Sequence, residues 1–172
     1  MCRRACFRRE FCVVVIVMGV TGAGKTTIGE LFASQLGWEF LDADGFHSPA
    51  NIEKIRQGIP LDDADRAPWL QAMRGAITGW IAETRNVVLA CSALKGLYRD
   101  ELAVGGEVKF VYLKGSYELI VKRLLARHGH FASESILASQ FATLEEPKDA
   151  IIVDIDRSPE EIVKAIRLKL GL

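Results

Sequence analysis

An unbroken apolar run, Val13-Val14-Val15-Ile16-Val17-Met18, feeds directly into Gly19-Val20-Thr21-Gly22-Ala23-Gly24-Lys25-Thr26. That junction restricts the fold more than any other feature of the chain. A mostly β-branched run without polar interruption suits a strand buried on both faces. The glycine segment fits G-x-x-x-x-G-K-[ST] at every fixed position. After it, Ile28, Leu31, Phe32 and Leu36 recur at helical spacing, and Gly37 supplies a stop. Strand, loop and helix in this order aim backbone N–H groups and a helix N-terminus at a polyphosphate. Gly19, Gly22 and Gly24 let the backbone turn tightly and approach phosphate without a Cβ. Lys25 is expected to reach the β- and γ-phosphates, and the Thr26 hydroxyl to ligate Mg2+. Val20, Thr21, Ala23 and Thr27 complete the loop expected around the triphosphate of ATP. A glycine-rich turn without a ligand would not require strand, loop and helix to agree.

The remainder of the chain constrains class and setting. With 172 residues and 49% hydrophobic content it can close one substantial core, and no segment reads as a linker. Lys and Arg total 22, as do Asp and Glu, so no overall field favours nucleic acid or an anionic membrane. No apolar run approaches the roughly 20 residues that cross a bilayer. Residues 1–12 carry Arg3, Arg4, Arg8 and Arg9 with Cys2, Cys6 and Cys12. They read as a disordered tail, or as a start placed too far upstream, ahead of a single domain over 13–172. A signal peptide is disfavoured, because its apolar run would be the strand feeding the phosphate loop. Cys91 lies far off at a strand end, so a disulfide framework is not expected and the compartment reads as reducing.

Strands and helices alternate along the sequence. Glu39-Phe40-Leu41 reads as a second strand, and Ser48-Pro49 as the cap and first position of a short helix ending at Gly58. Asp65 is expected to cap a longer helix with Trp69, Leu70, Met73, Ile77, Trp80 and Ile81 on one apolar face. Asn86–Ala90, Val108–Leu113 and Ile151–Ile155 read as further strands, with helices near Tyr98–Ala103, around Ile120–Leu125, and from Ser158-Pro159 onward. This pattern predicts an α/β, three-layer P-loop fold: a five-stranded parallel sheet with helices on both faces and a small lid, ligands lying at the C-terminal strand ends.

Polar clusters close each strand. Asp42 and Asp44, two residues apart in extended chain, would point to opposite sides and divide two jobs, one holding Mg2+ and the other accepting a proton. The third strand runs into Cys91-Ser92-Ala93-Leu94-Lys95, small residues that let a ligand approach, with Lys95 counted as substrate-binding. No metal-binding Asp closes that strand, so the metal would rest on Thr26 and the Asp42/Asp44 pair. Arg123 and Arg127 sit one helical turn apart, Gly129 then breaks the helix, and a polar loop is expected to about Ser135. Together these suggest a lid over residues 127–135 that closes over the triphosphate and neutralises charge during transfer.

At this point the chain resembles the gluconokinases, small kinases related in fold to shikimate and nucleoside monophosphate kinases. The resemblance runs from Val14 to the C-terminus through M-G-V-T-G-A-G-K-T from Met18, D-A-D-G-F-H from Asp42, and G-I-P-L-D-D-A-D-R-A-P-W-L from Gly58. V-V-L-A-C-S-A-L-K from Val87, Y-R-D from Tyr98, G-H-F from Gly129 and S-Q-F-A-T-L-E-E-P from Ser139 complete it. The phosphate loop is common to many families, whereas the G-I-P-L, C-S-A-L-K and S-Q-F-x-T-L-E blocks together are more specific. Gly45 stands where another acidic residue is usual after Asp44, and Ala-Ser-Glu-Ser follows Phe131 where a Met and often a proline are usual.

The resemblance implies ATP-dependent phosphorylation of D-gluconate at its 6-hydroxyl by a cytoplasmic enzyme of the pentose phosphate route, often a homodimer, with no nucleic-acid or membrane partner. Gluconate carries a carboxylate at one end, for which Arg66 and Arg99 are the candidate cations. His47, His130 and Gln140 are candidate hydroxyl partners. Lys25, Mg2+, Arg123 and Arg127 would share charge neutralisation, Asp44 would orient and deprotonate the alcohol, and Asp42 would stand nearer the metal. Arg157, at the end of the fifth strand, is expected near the adenine. A same-fold kinase of another hydroxy acid such as shikimate is the alternative, and a P-loop ATPase switch a more distant one. No N-K-x-D guanine-reading motif is present.

Overall fold

A computed structural model describes residues 12–126 and 131–172. Five strands, β1 (Val14–Met18), β2 (Glu39–Asp42), β3 (Val87–Ala90), β4 (Val108–Lys114) and β5 (Ile151–Asp154), form one sheet in the order β2-β3-β1-β4-β5. Every pairing is parallel, with Val17 beside both Ala90 and Val111. β1 is therefore central and buried along its whole length. Its alternating side chains divide between two layers, as the two-residue period of a strand requires. Val15 and Val17 pack with Phe32 of α1 (Lys25–Leu36), Ile120 of α5 (Tyr117–Ala126) and Val163 and Ile166 of α7 (Pro159–Leu170). Val14, Ile16 and Met18 pack on the other face with Trp69, Met73 and Ile77 of α3 (Asp63–Ala82) and Leu102 of α4 (Gly96–Leu102).

Local chemistry sets the helix starts. Ser48 accepts from the Asn51 N–H to open α2 (Pro49–Arg56). Ser158 and Glu161 form a reciprocal capping box at α7. The cap of α3 is Asp62, not Asp65: the Asp62 carboxylate accepts from the Asp65 N–H, and Asp65 returns the bond to the Asp62 N–H. With three aspartates in four residues, the reciprocal box selects the earlier one. Cys12, grouped with the tail on sequence grounds, is buried and donates through Sγ to the Arg85 carbonyl at 2.9 Å.

One element departs from expectation. The polar stretch read as loop to about Ser135 is instead the opening of α6 (Phe131–Thr143). Leu137 and Phe141 supply its core-facing stripe, continued by Leu144 just past its end, and Leu137 is fully buried. The lid expected over residues 127–135 thus overlaps a helix, and its first four residues lie outside the described ones. Among the described residues no helix is long and apolar enough to cross a membrane.

Candidate active site

The C-terminal ends of β1, β2 and β3 open into a cavity of about 660 Å³. The phosphate loop forms one wall. Gly19, Gly22 and Gly24 all take positive φ, at 147°, 77° and 95°. At Gly22 a Cβ would stand 2.8 Å from Ile120 Cγ2, so the sequence pattern there reflects both backbone conformation and packing. Val20 and Ala23 are buried in the core and do not line the cavity. Helix α1 starts at Lys25 without a side-chain cap, which leaves the first-turn N–H groups of Lys25, Thr26 and Thr27 for a ligand. Lys25 Nζ folds back across the loop to donate to the Val20 carbonyl at 3.0 Å. Burial lowers its pKa, opposed in part by the nearby carboxylates of Asp44 and Asp42.

The acidic pair departs from the extended geometry expected of it. Asp42 ends β2, and residues Ala43–Phe46 coil into a single 3-10 turn that Asp42 caps. One Asp42 oxygen accepts from the Asp44 N–H at 3.0 Å; the other accepts from Thr26 Oγ1 at 3.2 Å. The capping bond is what replaces extended chain here. Thr26 and Asp42 thus face one another as a hydroxyl and a carboxylate, a pair suited to Mg2+ that takes its remaining ligands from water and phosphate. Among the described residues no group of three or more His, Cys, Asp or Glu side chains could hold a metal alone.

The opposite wall carries Asp44, His47, Arg66 and Trp69. The His47 ring stacks on Trp69 with centroids 4.8 Å apart and planes within 10°. Trp69 is fixed in turn by its Nε1 donating to the Ala43 carbonyl at 2.7 Å. Burial holds the His47 pKa below the usual imidazole value, with Asp44 opposing and Arg66 reinforcing the shift. Its Nδ1 is the one buried side-chain polar atom without a partner among the described residues. Arg66 lies over the Tyr98 ring at 5.9 Å and donates to the Tyr98 hydroxyl at 3.4 Å, with an Asp63 oxygen 3.8 Å away.

Other expected site residues have different surroundings. Lys95 Nζ donates to both Asp63 oxygens, at 2.7 and 2.8 Å, and Arg99 donates to the Ala93 and Leu94 carbonyls. Neither lines the cavity. Gln140 does, but its Oε1 accepts from the Thr21 N–H at 2.6 Å. Arg123 donates to the Ile155 carbonyl, beyond the end of β5. Arg157 borders a separate cavity of about 550 Å³ with Lys114 and Lys169. Arg127 and His130 lie outside the described residues. Two contributors were not anticipated: Trp69 as a wall beyond its core role, and Asp63, which gathers Lys95, Tyr98 and Arg66. Asn51, the one buried polar side chain among the described residues, donates to the Asp65 carbonyl at 2.7 Å and ties α2 to α3. The D-D-A-D-R run signals a helix start, but not which distant side chains would meet it. Cys91, beneath the loop, has its thiol pushed up to about 12 by burial and is neutral.

Comparison with known proteins gives a consistent picture. Residues 21–170 match a family model described as Shikimate kinase. A mouse protein described as a probable gluconokinase is 44% identical over 174 residues, spanning 89% of this chain and 95% of its own length. The thermoresistant gluconokinase of Escherichia coli K12 is 43% identical over 155 residues, covering 87% of this chain and 89% of its own. A gluconokinase crystal structure from Sinorhizobium meliloti 1021 superposes with a TM-score of 0.84 at 40% identity, covering 95% of this chain and 94% of that one. A shikimate kinase from Aquifex aeolicus shares the fold at a TM-score of 0.56 and 17% identity.

Proposed function

This chain belongs to the gluconokinase family, and from that premise we propose that it transfers the γ-phosphoryl group of ATP to the 6-hydroxyl of D-gluconate, giving 6-phospho-D-gluconate. The observation that carries the proposal is that one cavity joins an uncapped phosphate-loop helix to a wall bearing a carboxylate, an imidazole and a guanidinium. The loop N–H groups of Gly22, Gly24, Lys25, Thr26 and Thr27 would hold the β- and γ-phosphates. Lys25 would exchange the Val20 carbonyl for a phosphate oxygen. Thr26 and Asp42 would hold Mg2+, which neutralises phosphate charge when bound.

On the facing wall, Arg66 provides the cation for the gluconate carboxylate, supported by its place in the cavity and its partial exposure. His47, held neutral by burial, offers its unpartnered Nδ1 to a hydroxyl. Asp44 accepts the proton of the attacking alcohol, leaving an oxygen nucleophile directed at the phosphorus. Arg123 and Arg127 are assigned the remaining charge neutralisation; Arg123 would have to release the Ile155 carbonyl to take part. Arg99, Lys95, His130 and Gln140 remain in the acceptor reading only as candidates, and Arg157 as one for the adenine. A cytoplasmic homodimer belongs to the same proposal.

Shikimate is the second acceptor to weigh, given the description of the family model. The relatives at 40% identity and above favour gluconate. ADP release measured with gluconate, with shikimate and with no acceptor tests the choice. Turnover with gluconate at least tenfold above the other two is expected. Equal rates in all three would reject an acceptor kinase, and faster turnover with shikimate would reassign the acceptor.

A further inference from the structure

In the block Ser139–Pro147, Gln140 reads from sequence as a candidate hydroxyl partner, and its contacts give it a different role. Gln140 sits on the last turns of α6, yet its side chain reaches the phosphate loop across a separation of 119 residues. A backbone N–H can only donate, so the carboxamide atom 2.6 Å from the Thr21 nitrogen must be the oxygen. The segment that follows is anchored at the β3–α4 connection and at the end of β4. The Glu145 N–H donates to the Leu94 carbonyl at 2.9 Å, and the Glu145 carboxylate accepts from the Gly96 N–H at 2.6 Å. Glu146 pairs with Lys114 at 2.8 Å, at the end of β4. Leu144, just before Glu145, packs into both layers of the core. One short stretch therefore ties together the phosphate loop, the β3–α4 connection and the end of β4, with Gln140 as its arm onto the loop.

We propose that Gln140 is a positioning residue for phosphoryl transfer: it presets the phosphate loop by holding the Thr21 N–H, instead of reading a hydroxyl of the acceptor. The reason lies in the loop itself. Gly22 and Gly24 give it unusual conformational freedom, and ordering that freedom opposes nucleotide binding. Beyond its flanking strand and helix, the loop backbone is held by the Gly19 N–H to the Ser92 carbonyl, the internal bond from the Ala23 N–H to Val20, Lys25 Nζ on the Val20 carbonyl, and Gln140. Lys25 is expected to leave that carbonyl for phosphate, so Gln140 is the side chain among these that holds the loop from a distant element. Its removal frees the crest of the loop, and ATP must then order it on binding.

This inference rests on the nucleotide site proposed above, and the experiment separates the two. In the full-length chain with Mg2+ and a non-hydrolysable ATP analogue, Gln140→Ala should weaken nucleotide binding about three- to tenfold, the scale of one lost hydrogen bond. The KM for gluconate should stay within about twofold, and thermal stability should stay near that of the parent. Gln140→Asn, one methylene too short to reach Thr21, should resemble the alanine variant. In the nucleotide-free protein, exchange of the Thr21 amide should accelerate in both variants and remain slow in Gln140→Glu, which keeps an acceptor oxygen. Unchanged nucleotide affinity in Gln140→Ala, or a rise in gluconate KM with nucleotide affinity intact, would overturn the inference. Failure of the parent protein to bind the analogue would instead reject the nucleotide site.

Discussion

Replacing Gly22 with alanine tests how tightly this loop is built. The position holds φ at +77°, a conformation that costs an L-residue about 1–2 kcal/mol. The added Cβ would also stand 2.8 Å from Ile120 Cγ2 and 3.0 Å from Leu124 Cγ and Cδ2, all on α5. Ile120 is fully buried, so relief requires helix or loop to shift, at about 1–3 kcal/mol. The total is about 2–5 kcal/mol, and at roughly 2–4 °C per kcal/mol for a chain of this size Tm should fall by about 4–20 °C. Gly24→Ala is the internal control, because it shares the positive φ but meets only Ile28 Cγ1 at 3.9 Å. It should cost about 1–2 kcal/mol, the strain alone. Thermal melts of both variants, with and without ATP, check the comparison. Gly22→Ala should be the less stable and gain less from ATP. Equal melting temperatures would refute the steric part of the reasoning, and a Gly22→Ala variant melting with the parent would refute all of it.

Two other perturbations bear on the acceptor wall. Asp44→Asn should lower kcat by about 10²–10⁴ as a lost general base, with apparent ATP affinity changing far less, and steady-state kinetics would reverse the roles if Asp42→Asn proved the more damaging to kcat at saturating Mg2+. Because burial holds the His47 pKa below its unfolded value of about 6.5, the folded state binds fewer protons there, so its contribution to stability is complete above about pH 6.5 and declines as pH falls. Urea midpoints of parent and His47→Asn between pH 5 and 8 should therefore converge toward acid; a constant difference would exclude the linkage.

What could be read without coordinates followed the range of the interactions. β1, the phosphate loop and α1 are specified by contiguous residues, and the structure places them as the pattern predicts. The same holds for Ser48-Pro49 and Ser158-Pro159, where a cap and its helix lie within four residues. Helix α6 is obscured in the sequence because Ser and Glu near Gly129 resemble a loop, while its apolar stripe of Leu137 and Phe141 begins only later. The linear pattern gives Asp42 and Asp44 extended geometry, because nothing in it shows the Asp42 carboxylate capping the next turn. Lys95 and Arg99 look like ligands in sequence, but their partners, Asp63 and the carbonyls of Ala93 and Leu94, are chosen by tertiary folding. The pairing of Gln140 with Thr21 is of that kind, and no local rule anticipates it.

The central claim is that phosphorus moves from ATP to one particular oxygen of gluconate. Phosphorus–proton correlation NMR of the product formed from ATP and D-gluconate tests it directly. The account predicts an ester phosphorus coupled to the two methylene protons at C6, absent when Lys25→Ala replaces the parent enzyme. Coupling to a single methine proton, or inorganic phosphate as the sole product, would contradict it.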